Sequence, residues 1–213
     1  IWIARGDETR PYIIYEFTES GAGEHARRLF SNYKGYLVTD AAPVFNGVIK
    51  DGATAVNCWA HAYRNFEDAK DSEAELAGEA IAMIKGLFDI ERVAANMTEA
   101  ERLDWRQRVS KGRLVVLKQW LDDQVSSADF LPKSKFGEAV NYCLSRWQAL
   151  YRYVDTGFLP IDNNWAENGL RPTVLGRRNW LFAGSVDGGH TAAVWMSIVH
   201  TCRRLGIDPF EYL

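Results

Sequence analysis

The sequence lacks the features that define several large classes of protein. Within its 213 residues, no apolar run reaches the roughly eighteen residues that a membrane-spanning helix needs, and no segment has the pattern of a signal peptide. Low-complexity tracts, collagen-like repeats and heptad repeats are also missing. These absences favour a globular cytoplasmic protein without a membrane partner.

Cysteine is scarce and widely spaced. Cys58, Cys143 and Cys202 are odd in number, and no C-x-x-C pair occurs. This pattern argues against a disulfide framework and also against a structural zinc site, which needs four closely grouped ligands.

Charge is nearly balanced overall but unevenly distributed. The formal net charge is −3, yet the segment 67–129 contains 14 acids and 9 bases, which leaves the rest of the chain with a net charge of +2. Segment 163–181 carries Arg171, Arg177 and Arg178 against the single acid Glu167. A local excess of positive charge is what a phosphate-bearing partner would require.

The first third of the chain alternates between strand and helix patterns. Such an order predicts an α/β domain with a mixed sheet. The predicted elements are strands Ile1–Arg5 and Tyr12–Phe17, a helix Gly23–Tyr33, a strand Tyr36–Asp40, a helical turn Ala42–Val48 and a strand Ala55–Trp59.

The middle of the chain is predicted to be helical. Two or three helices fit residues 66–120, and a further helix fits 136–153 after the break at Pro132. A last helix is predicted over 191–205, with Gly206 as its C-cap. We therefore divide the chain into a first part of the α/β core (1–64), a helical insertion (65–158), the core helix that carries Glu167 (159–182) and a C-terminal helical segment (183–213).

The segment around Glu167 is the most informative part of the sequence. Asp162 or Asn163 can cap a short helix. On that helix Asn163, Glu167 and Arg171 are four residues apart and share one face. A carboxylate between an amide and a guanidinium is typical of a metal site next to a phosphate, although a surface glutamate would also fit.

Two further candidates follow predicted strands. Asp40 ends a buried strand, a position at which α/β proteins bind ligands, but an ordinary turn or cap aspartate would look the same. His61 follows the next strand and is a candidate neighbour of the site. Cys58 and Trp59, just before it, are interpreted as packing residues because no third group completes a metal or nucleophile site.

Other polar segments carry weaker signals. Arg177 and Arg178 are candidate DNA-phosphate contacts, with solvated loop charge as the alternative. The glycine-rich stretch 184–189 matches no phosphate loop and is interpreted as a turn. The basic run from Arg102 to Arg113 is interpreted as a solvated helix face rather than a DNA-binding stripe.

Several segments together resemble the insertion sequence 66 family of transposases, which belong to bacterial mobile elements. The resemblance covers essentially the whole chain. It is carried by residues 35–40, 58–64, 162–172 and 176–185, and by the C-terminal residues 206–213.

The resemblance implies a ribonuclease-H-like fold with a DDE triad of two aspartates and a glutamate that binds Mg²⁺ or Mn²⁺. Asp40 corresponds to the second acid and Glu167 to the third. Arg171, Arg177, Arg178 and Asn163 would contact DNA, and His61 would lie near the site. The implied activity is cleavage of the element ends and strand transfer into target DNA. The protein is expected to be a homo-oligomer and to associate with the bacterial nucleoid.

The first acid of that triad is expected on a strand upstream of Ile1. Asp7-Glu8-Thr9 has the matching residue types, but it lies between two predicted strands and is interpreted as a hairpin turn. The sheet is thus expected to lack its first strand, and its open edge to favour pairing with a second chain. The alternatives to an active transposase core are an inactive truncated remnant that binds DNA or full-length transposase and, with less support, a carboxylate-pair hydrolase.

Overall fold

A computed structural model describes residues 1–127, 130–180 and 184–213, with the backbone alone at 177–180. The chain is a mixed α/β protein that is mostly helical, with two small sheets. The strands are β1 (Trp2–Arg5), β2 (Ile13–Glu16), β3 (Tyr36–Thr39) and β4 (Thr54–Asn57). The helices are α1 (Gly23–Leu29), α2 (Asn46–Lys50), α3 (Trp59–Ala69), α4 (Ala74–Val93), α5 (Glu99–Trp105), α6 (Lys111–Ser127), α7 (Lys135–Ser145), α8 (Trp147–Tyr151), α9 (Asn164–Trp180), α10 (Val186–Leu205) and α11 (Pro209–Tyr212). No helix in the described ranges is long and apolar enough to cross a membrane.

The chain forms two compact units. The hairpin unit comprises Ile1–Lys34, Ala42–Gly52 and Asn164–Leu213, and the helical unit comprises Gly35–Ala41 and Ala53–Asn163. The four-part division expected from the sequence stays a prediction.

In the hairpin unit, β1 and β2 pair antiparallel with Ile3 opposite Tyr15. The loop between them is the predicted hairpin turn at Asp7-Glu8-Thr9. The Asp7 carboxylate accepts hydrogen bonds from the backbone N–H groups of Thr9 and Arg10 and from the Thr9 hydroxyl. These bonds hold the pKa of Asp7 below its usual value. The carboxylate of Asp7 therefore stabilises its own turn.

Helix α10 covers the outer edge of β2. The Thr201 hydroxyl accepts from the Ile13 N–H at 3.0 Å and donates to its carbonyl oxygen, while the Ser197 hydroxyl accepts from the Tyr15 N–H at 2.8 Å. Side chains thus satisfy backbone groups that an exposed edge strand would offer to another chain. Helix α9 packs on the same hairpin, where the Tyr15 hydroxyl donates to the carbonyl of Gly169 at 2.6 Å.

The helical unit contains the larger apolar core, in which α3 packs against α4 and α7. Trp59 is fully buried, its ring meets that of Trp147 edge-on at 5.9 Å, and its indole N–H donates to the carbonyl of Leu150. The prediction that Trp59 ends a strand is wrong. Cys58 is extended and precedes α3, and the Trp59 N–H is bound by the carbonyl of Ile161.

The basic run from Arg102 to Arg113 is not a uniformly solvated face. Arg106 is 1% exposed, pairs with Glu91 at 2.5 Å and donates to the carbonyls of Tyr153 and Thr156. Arg102 donates to the carbonyl of Gly157 and to two others. A buried guanidinium needs several acceptors, and a short π-helix over 106–110 places Arg106 among them.

Three further predictions about helices need correction. Instead of one helix over 136–153, α7 and α8 are separated at Arg146, which adopts φ −115° and ψ 12°. Directly after this break, the Trp147 ring packs edge-on against the buried ring of Trp59. The first helix ends at Leu29 rather than at Tyr33, and α10 begins at Val186 rather than at residue 191.

Candidate functional site

The parallel pair β3–β4 places two chain turns at one edge of its sheet. Thr39 is opposite Asn57, and both are only 5% exposed. Asp40 directly follows β3, and Cys58 directly follows β4. Because the carboxyl ends of parallel strands meet at the same edge, Asp40 lies where α/β proteins place ligand-binding groups.

The residue after Asp40 has a strained backbone. Ala41 has φ 68°, a left-handed conformation that residues with a Cβ rarely adopt. Its N–H is bound by the Thr39 hydroxyl at 3.2 Å, which closes a tight turn around Asp40. Such strain costs about 1–3 kcal/mol and is concentrated at functional turns. The local geometry is therefore consistent with a site residue at position 40.

Tyr142 of α7 contacts this turn and was missed from the sequence. Its hydroxyl donates to the backbone oxygen of Asp40 at 3.3 Å, and the Arg146 guanidinium lies 4.7 Å from its ring centre. Burial is the main cause that raises the pKa of Tyr142 far above its usual value. Tyr142 is therefore a permanent hydrogen-bond donor. No motif or apolar repeat identified in the sequence included Tyr142.

Cys58 joins the strand end to the segment before α9. Its Sγ accepts from the backbone N–H of Asn163 at 3.4 Å. Burial raises the pKa of the Cys58 thiol, so it stays protonated and is a poor nucleophile and metal ligand. This supports its interpretation as a packing residue. The Asn163 Oδ1 is buried and has no hydrogen-bond partner within the described ranges.

His61 lies in the first turn of α3 and is half-buried. Its backbone N–H donates to the carbonyl of Cys58 at 3.2 Å. Within the helical unit, these contacts connect Asp40, Cys58, His61, Tyr142 and Asn163, which we call the strand-end cluster. The cluster contains three of the residues selected from the sequence.

Glu167 and Arg171 belong to α9 in the hairpin unit. The helix begins at Asn164, so Asn163 immediately precedes it and Glu167 lies in its first turn. Glu167 is half-buried, and Arg171 is exposed one turn further on the same face. The helix is longer than the short one predicted. It continues through Pro172, which lacks an N–H for the carbonyl of Asn168, to Trp180.

Arg177 and Arg178 have helical backbone at the end of α9, and their side chains lie outside the described residues. The predicted turn over 184–189 is wrong beyond its first residues, because α10 begins at Val186 with Ser185 as its cap. Close packing against Phe17 explains the glycine at position 189. A Cβ at this position would lie 2.6 Å from the ring of Phe17.

The two candidate metal ligands belong to different units, Asp40 to the helical unit and Glu167 to the hairpin unit. Among the described residues, no group of three or more His, Cys, Asp or Glu side chains is placed to hold a metal ion. A divalent ion shared by Asp40 and Glu167 stays a prediction.

Three curated proteins of Sinorhizobium fredii, each called uncharacterized, are similar to this chain. Protein y4hP is 33% identical over 226 residues, which cover 98% of this chain and 41% of that protein. Protein y4qI is 29% identical over 98% of this chain and 40% of its own length, and y4jD is 28% identical over 95% and 41%. The chain thus spans about two fifths of the length of these relatives. No solved structure matches it.

A family model described as "Transposase IS66 family" matches residues 1–191. The match includes Asp40, His61, Asn163, Glu167 and the arginines of α9. It also includes both strand pairs and the whole helical unit. The chain therefore belongs to the transposase IS66 family.

Proposed function

We propose that this chain is the catalytic-core portion of a DDE transposase, which cleaves and joins DNA strands by metal-dependent phosphoryl transfer. The observation that carries the proposal is the family match over residues 1–191, which includes both candidate acids. The proposed architecture is ribonuclease-H-like, with the helical segment 65–158 inserted before the helix that carries Glu167. The first acid of the triad is not assigned to any residue of this chain.

Asp40 and Glu167 are the proposed ligands of Mg²⁺ or Mn²⁺. Both ions prefer oxygen donors, and the buried, unpartnered Oδ1 of Asn163 adds an oxygen that fits this chemistry. When bound, the ion activates a water or a 3′-hydroxyl and stabilises the leaving oxygen. Glu167 lies in the first turn of α9, which begins directly after Asn163, so the two oxygen donors are close in sequence.

The other residues are proposed to hold DNA. Arg171 is exposed one turn after Glu167, so its guanidinium can bind a phosphate next to the reacting group. Arg177 and Arg178 extend the positive charge along the same helix, and the Asn163 amide can donate to a phosphate oxygen. His61, one turn beyond the strand end, would orient groups at the site.

The proposal predicts metal-dependent cleavage of DNA. We would incubate the chain with a supercoiled plasmid that carries the element ends, with Mg²⁺ or Mn²⁺, and quantify nicked product. Glu167→Gln and Asp40→Asn should each reduce nicking by more than about 100-fold, because even groups that only support a metal ligand typically contribute 10–100-fold. Removal of the metal with EDTA should have the same effect.

Matched controls are Glu211→Gln and Asp71→Asn, which remove exposed carboxylates elsewhere in the two units and should leave nicking unchanged. Equal losses from controls and site variants would refute the assigned acids. Binding of DNA without nicking would refute catalysis by this chain and favour the inactive remnant that binds DNA or full-length transposase.

A further inference from the structure

Arg5, Trp165 and Arg204 form a second cationic site in the hairpin unit. Arg5 ends β1, Trp165 is in the first turn of α9, and Arg204 is in the last turn of α10. The Arg5 guanidinium lies 4.7 Å from the centre of the Trp165 ring, and its Nη1 donates to the Trp165 carbonyl at 3.4 Å. We call these three residues the arginine–tryptophan cluster.

The two arginines are like charges near each other. Burial, and then the positive charge of Arg204, lower the pKa of Arg5. In the part of the chain that the structure describes, no ion pair links either arginine to a carboxylate, and the buried Nε of Arg5 has no hydrogen-bond partner. The cluster therefore has an uncompensated positive charge, which an anion would neutralise.

Arg204 is held in place by the turn between β1 and β2. Its Nη1 donates to the carbonyl of Gly6 at 2.8 Å, and its Nη2 donates to the carbonyl of Asp7 at 3.0 Å. The carboxylate of Asp7 is bound by its own turn, where Oδ1 accepts from Thr9 and Arg10. Two carbonyls fix the orientation of Arg204 without neutralising its charge.

Trp165 adds an aromatic surface to this charge. It is 54% exposed although its ring is large and apolar. Exposed aromatic rings beside cations are the elements with which proteins bind unpaired nucleotides, because a base stacks on the ring while the guanidinium binds the adjacent phosphate. In a duplex, the bases are stacked on each other and are not available to Trp165.

We propose that the arginine–tryptophan cluster binds a nucleotide of single-stranded DNA, with the phosphate on Arg5 and Arg204 and the base on Trp165. The choice of DNA as the ligand rests on the proposed function. The geometry of the cluster adds the preference for an unpaired strand. Such a strand is present wherever a cleaved or melted element end leaves the duplex.

The test is a binding measurement in EDTA, so that it does not depend on cleavage. A fluorescently labelled 20-nucleotide oligothymidine would be titrated with the whole chain, and its anisotropy followed at several salt concentrations. Trp165→Ala should weaken binding by about 5- to 150-fold, the range measured for loss of one stacked base. Trp165→Phe should retain most of the affinity. Arg5→Gln should lower the slope of log Kd against log salt by about 0.7, the value for one phosphate contact on a single strand.

The matched control is Arg27→Gln. Arg27 lies in the same unit but already pairs with Asp51 at 2.8 Å, so its loss should change the salt slope far less than that of Arg5. Each variant is compared with the parent by circular dichroism and thermal unfolding. If Trp165→Ala does not fold, Trp165→Leu replaces it, because leucine keeps apolar volume without an aromatic face.

Three results would overturn the proposal. The first is that folded Trp165 and Arg5 variants bind the oligonucleotide as tightly as the parent. The second is that Arg27→Gln lowers the salt slope as much as Arg5→Gln does. The third is that a duplex of the same length binds with equal affinity. Inorganic phosphate at millimolar concentration should displace the oligonucleotide only weakly. Complete displacement would contradict nucleotide binding, because it would show a site that binds any small anion. The assay contains EDTA and measures binding alone, which separates failure of this proposal from failure of catalysis.

Discussion

The helical unit and the hairpin unit use arginine in opposite ways. Arg106 of the helical unit is buried, paired with Glu91 and bound to two carbonyls, so its charge is fully compensated. Arg5 of the hairpin unit is half-buried against Trp165 and has no carboxylate partner among the described residues. A compensated arginine serves the fold, whereas an uncompensated one is available to a ligand.

The two units also differ in how their strands are stabilised. In the helical unit, the strand pair and helices surround a large apolar core that includes Trp59, Phe66 and Phe136. In the hairpin unit, one buried apolar cluster among the described residues contains Ile13, Tyr15 and Ala193, and hydroxyl groups of α10 bind the edge of β2. The hairpin unit therefore depends more on specific hydrogen bonds, which provide less free energy each than apolar burial.

The largest effect is expected from Arg106→Met. This change removes the cation that pairs with the largely buried carboxylate of Glu91. It also removes the donors that bind the carbonyls of Tyr153 and Thr156. The free energy of unfolding should fall by about 3–5 kcal/mol, measured by urea denaturation followed by circular dichroism. The control is Arg108→Met, which breaks an exposed pair with Asp104 and should cost less than about 1 kcal/mol. Similar costs for the two variants would contradict the compensated role of Arg106.

A smaller effect is expected from Thr201→Val in the hairpin unit. The side chain keeps its shape but no longer binds the N–H and carbonyl of Ile13, so the free energy of unfolding should fall by about 1–3 kcal/mol. Sedimentation should also show more self-association, because an edge of β2 becomes available for pairing. Thr191→Val, at an exposed position of the same helix, is the control for both measurements. Unchanged stability in Thr201→Val would show that the α10 hydroxyls do not hold the strand.

Local patterns in the sequence predicted the elements well. Short runs of β-branched, aromatic and other apolar residues predicted β1 to β4 within one or two residues, and the Gly206 cap is confirmed by its φ of 69°. The hairpin turn at Asp7-Glu8-Thr9 is also confirmed, because its signal is chemical and local. Features that depend on a few neighbouring residues were therefore accessible from the sequence.

Features that depend on distant partners were not accessible. Burial of Arg106 requires Glu91 and the carbonyls of residues 153 and 156, which no local pattern connects. Tyr142 contacts Asp40 across 102 positions of sequence. The cluster of Arg5, Trp165 and Arg204 joins three elements from both ends of the chain, so its residues had no shared motif. Asp40 and Glu167 were selected by type and position, and their joint role stays a prediction.

Asp40 and Glu167 are proposed to hold one divalent ion. Fe²⁺ bound in place of Mg²⁺, with ascorbate and peroxide, generates radicals that cut the backbone only near the ion. The account predicts cuts near both residue 40 and residue 167, both suppressed by excess Mg²⁺. Asp40→Asn should abolish both the cut near residue 40 and the cut near residue 167. Glu167→Gln should also abolish both cuts. Cleavage at one position alone, or variants that each affect only their own position, would contradict a shared ion.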